Sequence, residues 1–164
     1  MRKSRWIMLL AVWMLLAGMC LVQTARAGDQ DAIKGWEKDG EYDKLYEPAE
    51  REKIKGVIVD FVDITPMEGM APGIGVTFQD RFDPETFLVH IGPKAYVEAQ
   101  KFPLEKGETV KIYGAWAEHN DKDFFIVAKI KKENDNALKV RRTKDGYPFW
   151  SMPPEMLKDE LENQ

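Results

Sequence analysis

Residues 53–64 constrain this chain more than any other stretch. The run KIKGVIVDFVDI is rich in Val and Ile, and apolar side chains fall on both alternating faces. Ile54, Ile58 and Val62 share one face; Val57, Val59 and Phe61 share the other. A strand that must bury both faces does not suit the edge of an open, half-solvated sheet. It fits a strand that bends and serves two sheets of a closed barrel.

The following segments have the order such a barrel needs. A Pro- and Gly-dense loop at 65–73 leads to a strand at 74–78, a turn at 80–85 and a third strand at 86–91. Gly92-Pro93 breaks that strand. Pro93 suits the first turn of a helix over 94–101, with Tyr96, Val97 and Phe102 facing the barrel. Strands at 109–118 and 123–131 follow, joined at 119–122. Three strands, a short helix and two strands are the order of the OB fold. The chain is therefore expected to be all-β: a five-stranded OB-type barrel with a short helix between strands three and four, a C-terminal hairpin and short terminal helices. An open meander with a docked helix is the alternative.

The N-terminus reads as an export signal. Arg2, Lys3 and Arg5 give a positive start, and residues 6–22 carry no charged side chain. Ala25-Arg26-Ala27 then supplies small residues at the −3 and −1 positions of a cut before Gly28. Residues 1–27 are thus expected to be a signal peptide, cleaved after Ala27, that leaves the protein in the periplasm. The membrane is met through the signal alone, before cleavage. Leu16-Ala17-Gly18-Met19-Cys20 resembles a lipoprotein box one residue out of step. Cys20 is the single cysteine and departs with the signal, so the mature chain folds without a disulfide. Cleavage removes four of 24 basic residues and none of 28 acidic ones, leaving 20 − 28 = −8. That charge repels a nucleic-acid backbone and suits a basic partner. The remainder divides into a polar N-terminal segment at 28–52, the barrel at 53–133, the hairpin at 134–150 and an acidic tail at 151–164. Tyr42 to Tyr46 are expected to dock on the barrel.

Few residues carry chemistry. Met67 and Met70 flank Glu68-Gly69 on a loop; soft thioethers suit Cu(I), and His90 or His119 could add an imidazole. The plainer reading is a flexible apolar loop tip packed on the barrel mouth. His90 ends the third strand, where a lone histidine is usually a hydrogen-bonded structural group, here placed to fix the Gly92-Pro93 step. His119 reads as a solvated hairpin residue. Arg141, Arg142 and Lys144 beside Tyr147, Phe149 and Trp150 form a basic and aromatic cluster. Such a cluster can stack the bases of a single strand or simply cover one end of the barrel. Trp116 shares parity with Val110 and Ile112 and belongs to the core. Asp60 with Asp63, and Asp80 with Asp83, lack the sugar-sized cleft that glycosidase carboxylates need. No catalytic residue and no cofactor is expected.

The stretch VHIGPKAYVEAQKFPLEKGETVKIYG, followed by IVAKIKK, LKVRR and DGYPFW, resembles a group of small exported bacterial OB-fold proteins. The shared features are a His-x-Gly-Pro step into the helix, a Gln before the fourth strand and a Gly-x-Pro-x-Trp finish, over about residues 44–150. Proteins of that group are mostly unassigned, or labelled nucleic-acid binding by fold. Two other exported groups have a similar barrel. The haem chaperone of cytochrome c maturation attaches haem through a His-Asp-Glu-Asn-Tyr motif, where this chain reads Lys132-Glu133-Asn134-Asp135-Asn136. Periplasmic copper chaperones use Met, His and Trp in another spacing.

The resulting expectation is a non-enzymatic periplasmic binding or accessory module. It would present its β-face, and the loops after the first and fourth strands, to a basic or redox-related protein partner or an extended ligand. Met67, Met70, His90, Tyr96, Arg141, Arg142, Tyr147 and Trp150 are the expected contact residues. Metal or haem handling through Met67, Met70, His90 and His119 is one alternative. Oligonucleotide binding through Arg141, Arg142 and Trp150 is the other.

Overall fold

The computed structural model describes residues 30–134 and 136–162. The signal expected at 1–27 lies outside the described residues. The chain divides into units 1–31 and 32–164, and the architecture below is that of the second.

Five strands and a helix follow one another as β1 (Arg51–Ile64), β2 (Gly73–Asp80), β3 (Thr86–Pro93), α1 (Lys94–Ala99), β4 (Thr109–His119) and β5 (Lys122–Lys132). β1 pairs antiparallel with β2 on one side and with β4 on the other. β2 continues to β3, and β4 to β5. β3 then meets β5 in parallel, through Val89 with Phe125 and His90 with Ile126. The ring β1-β2-β3-β5-β4-β1 is a closed OB-type barrel and not an open meander. The helix is shorter than its sequence suggests, because Lys101 adopts φ 49° just beyond its C-cap.

Three bulges interrupt the ladders; one leaves Ile91 extra on β3, and the other two decide which faces β1 and β5 present. On β1, Val59 is the extra residue between the pairs Ile58–Phe78 and Asp60–Thr77. Simple alternation put Val62 with Ile58. The bulge exchanges the faces: Ile54 and Ile58 enter the barrel core, whereas Val62 and Ile64 join a second apolar cluster. On β5, Ala128 is the extra residue between the pairs Tyr113–Lys129 and Gly114–Val127. Phe125, Val127 and Ile130 fill the barrel; Phe124, Ile126 and Ala128 join the second cluster. β5 is therefore apolar on both faces because both are covered.

The cover is the N-terminal lead-in. Trp36, Tyr42 and Tyr46 are buried in the second cluster. The Trp36 indole N–H donates to the Ala71 carbonyl at 2.9 Å, which ties the lead-in to the loop after β1. The C-terminal segment closes over the same region. β6 (Ala137–Lys139) pairs with β5 for three residues. The backbone N–H groups of Val140 and Arg141 then both donate to the Ala128 carbonyl, at 2.9 and 3.0 Å. This ends the strand and sends Arg141 inward. Pro148 cannot extend a ladder, so the return is a single bridge to Arg141, followed by a 3-10 turn at Phe149–Ser151. The last element is α2 (Pro154–Glu162).

Arg141 is 2 % exposed. Its Nη1 bonds the Asp43 carboxylate and, at 2.9 Å, the Gly146 carbonyl. Its guanidinium carbon stands 5.0 Å from the Trp150 ring centre and 5.7 Å from that of Tyr46. Removing one partner of such a pair strands the other charge away from water. Arg141→Ala should therefore lower the unfolding free energy by about 3–5 kcal/mol, read by urea denaturation. Exchanging the pair together, with Asp43→Leu and Arg141→Met, should cost much less.

Candidate functional site

The barrel seam carries a cleft of about 660 Å³. Its walls are the end of β1 and the following loop (Val62, Thr65, Pro66), β3 (Leu88, His90) and the β4–β5 hairpin (His119, Asn120, Phe124). The β1–β2 and β4–β5 loops and the face of β3 are the parts with which OB barrels commonly hold ligands. The hairpin keeps its tight shape because Asn120 and Asp121 adopt φ 53° and 57°, a conformation open to Asn and Asp.

His90 forms the floor. It is 4 % exposed. Its ring stacks on Phe124 at 4.2 Å between centres and 16° between planes. Tyr42 lies parallel on the lead-in side, its hydroxyl oxygen 3.0 Å from His90 Nδ1. Burial pushes the imidazole down to about 4, so it is neutral at ordinary pH. Burial also pushes the Tyr42 hydroxyl well up, which keeps its proton on. One ring nitrogen is thus engaged from behind the sheet. The floor this leaves is an uncharged heteroaromatic edge between Leu88 and Phe124.

The rim is polar. His119, Asn120, Lys122 and Asp123 stand on the hairpin side, with Asp63 opposite. Lys94 Nζ pairs with the Asp63 carboxylate at 3.0 Å. Among the described residues, no group of three or more His, Cys, Asp or Glu side chains is placed to hold a metal ion.

The residues singled out in the sequence fall into three places. His90 and His119 share the seam cleft. Met67 and Met70 line another cleft, of about 450 Å³, with Lys34, Glu37 and Tyr42. Met70 lies against Gly35, whose φ of 82° and close approach leave no room for a side chain. The thioethers thus pack on the lead-in and are not grouped with the imidazoles. Tyr96, Arg141, Arg142, Tyr147 and Trp150 gather around the C-terminal segment. Trp150 sits between Tyr96 and Trp36, and its indole N–H donates to the Trp36 carbonyl at 2.7 Å. The Tyr96 hydroxyl donates to the Lys139 carbonyl at 3.3 Å. Arg142 is forked onto Asp145 and reaches Glu160 at 2.8 Å. The Tyr147 ring lies under Arg142 and Lys38, at 5.4 and 5.5 Å. Leu88 and Phe124 also line the cleft, and neither is among the site residues that the sequence pointed to. Leu88 and His90 share strand parity, which was the available signal.

Acid should weaken the fold through His90. The folded state holds the ring neutral down to about pH 4, whereas the unfolded chain takes up a proton near its usual 6.5. The unfolded state therefore binds more protons across that window, and stability falls as pH is lowered through it. The full difference at pH 4 is on the order of 3 kcal/mol. Urea midpoints between pH 7 and pH 4 should fall more steeply for the wild type than for His90→Phe. Parallel curves would show that His90 does not carry the effect.

Residues 50–137, just over half of the chain, match the model of a family described as the MamS/MamX magnetosome protein family. The match runs from the start of β1 to the start of β6. Among curated proteins nothing matches. Among solved structures, a murine DNA-binding protein bound with double-stranded DNA is similar at 14 % identity, with a TM-score of 0.30. That likeness covers 66 % of this chain and 49 % of the other, so this chain spans about half of that protein's length.

Proposed function

The chain belongs to the MamS/MamX magnetosome protein family, and we propose that it is an exported, non-enzymatic accessory module that holds an extended segment of a protein partner in the seam cleft. The observation that carries this reading is the meeting of the β1–β2 loop, the β3 face and the β4–β5 hairpin around one apolar floor. A few polar groups around an apolar cleft suit shape-led recognition. Neutral His90 offers no charge to a substrate. It supplies a ring edge with one nitrogen, whose polarity is set by the Tyr42 contact at Nδ1.

Two further observations support a protein partner over nucleic acid. The chain without residues 1–27 carries a charge of −8 by count, which opposes contact with phosphates. Arg141, the centre of the basic and aromatic cluster, is buried against Asp43. Export is supported by the positive start, the uncharged stretch and the Ala25-Arg26-Ala27 step.

Site-specific photo-crosslinking in the source cells tests the cleft. A photoreactive residue at Thr65 or Asn120, both on the cleft wall, should give one shared protein adduct. The same group at exposed Lys111 on β4 should give none. Adducts of equal strength from all three positions, or from none, would sink the proposal. Stoichiometric metal in the purified protein would move the reading to His90 and His119.

A further inference from the structure

The seam cleft does not end at its rim. Asp123 lines it and also lines two smaller grooves, of about 480 and 360 Å³, at the barrel mouth. Both grooves share a second residue, Trp116. Trp116 is half-buried, 4.9 Å from the Phe87 ring and 5.4 Å from that of Phe125. These rings stopper the barrel at the end of β4 remote from α1. The Trp116 indole N–H donates to Glu52 at 3.1 Å, which fixes the plane of the ring.

Around this aromatic floor stand Glu52, Asp80, Asp83, Glu85, Glu118 and Asp123. Among the described residues none of the six makes an ion pair, whereas Asp43, Asp60, Asp63, Glu108 and Asp145 each have a Lys or Arg partner. Asp80 and Asp83 accept backbone N–H groups of their own turn, from Phe82 and Glu85. The nearby Arg81 lies over the Phe82 ring. Glu118 and Asp123 are directly opposite each other across β4 and β5. Like charges at facing positions of a ladder oppose pairing, yet the barrel places them there with no cation between. Among the described residues no Lys or Arg side chain pairs with this cluster, and its charge is complementary to a cation.

We infer that the barrel mouth docks a basic segment of a partner protein, with an arginine or lysine side chain over the Trp116 ring and within reach of Glu85 and Asp123. This rests on the proposed function for the path of the partner, whose neighbouring segment enters the seam cleft past Asp123. It adds the chemistry of what the partner must carry. A guanidinium fits best, since it stacks on an aromatic face while its N–H groups meet carboxylates. The uncompensated acidic rim also draws such a segment in from a distance.

Titrating hexa-arginine into the purified protein, with hexaglutamate as control, tests this. The Trp116 Nε1–H resonance should shift saturably with hexa-arginine alone. Affinity should fall at least about tenfold between low and moderate salt as the charges are screened. Trp116→Ala leaves the net charge unchanged and should weaken binding about fivefold or more, with Trp116→Phe restoring most of it. Glu85→Gln with Asp123→Asn, both at exposed positions, should weaken it to a similar degree. Unchanged binding by Trp116→Ala, or no shift at Trp116, overturns the inference, because attraction to overall negative charge would then suffice. Photo-adducts from Asn120 in the absence of hexa-arginine binding would sink this inference and leave the cleft reading standing. The reverse result would leave the basic-segment site and remove the cleft.

Discussion

The barrel depends on a seam two residue pairs long. Val89 with Phe125 and His90 with Ile126 are the register that joins β3 to β5 and turns a meander into a ring. Parallel pairing is slightly weaker per residue than antiparallel pairing, and so short a ladder needs support from its side chains. It has that support on both faces. Inside, Val89 and Phe125 sit in the main core beside the Phe87 and Trp116 rings. Outside, His90 lies flat on Phe124 with Tyr42 beside it. One of the four residues that close the barrel, His90, therefore also floors the cleft.

The rest of the architecture supplies that outer layer. A bare OB barrel would expose Phe124, Ile126 and Ala128, and the lead-in with Trp36, Tyr42 and Tyr46 buries them. Glycines make the close approaches possible. A side chain at Gly73 would meet the Trp36 ring, and one at Gly92 would meet Trp150. The His-x-Gly-Pro step and the Gly-x-Pro-x-Trp finish, far apart in sequence, thus meet in space: Trp150 rests on Gly92. These two segments pack on each other, and His90 alone among their named residues also faces the cleft.

Much of this was legible in the sequence. The order of strands and helix follows from runs of Val, Ile and Phe between Pro- and Gly-rich breaks, and the strength of β1 as a two-faced strand pointed to a closed sheet. The basic and aromatic cluster could be read as a binding face or as a cover. The structure buries Arg141 and packs Trp150 between Tyr96 and Trp36. What sequence alternation could not carry were the extra residues on β1 and β5, Val59 and Ala128. A bulge has no compositional mark, yet each one moves every later side chain on its strand to the other face. The second bulge also receives the Val140 and Arg141 N–H groups, which is why a surface-looking arginine turns inward. Trp36 stands in a polar stretch, and its burial depends on Gly73 and Ala71, more than 30 positions away.

The ion pair between Asp43 and Arg141 has a consequence for how the molecule comes into being. Its partners are 98 positions apart, so it closes about three quarters of the described chain into a loop. Contacts of that span form late, after local strands have paired, because the entropy of closure must be met first. Tyr42 is the immediate neighbour of Asp43 and backs His90. The cleft floor is therefore backed by a residue next to this long-range pair. A chain still emerging, or cut short of its hairpin, could hold barrel strands without Tyr42 seated behind the imidazole. Completion of the cleft floor is thus tied to the docking of a segment 98 positions further along the chain.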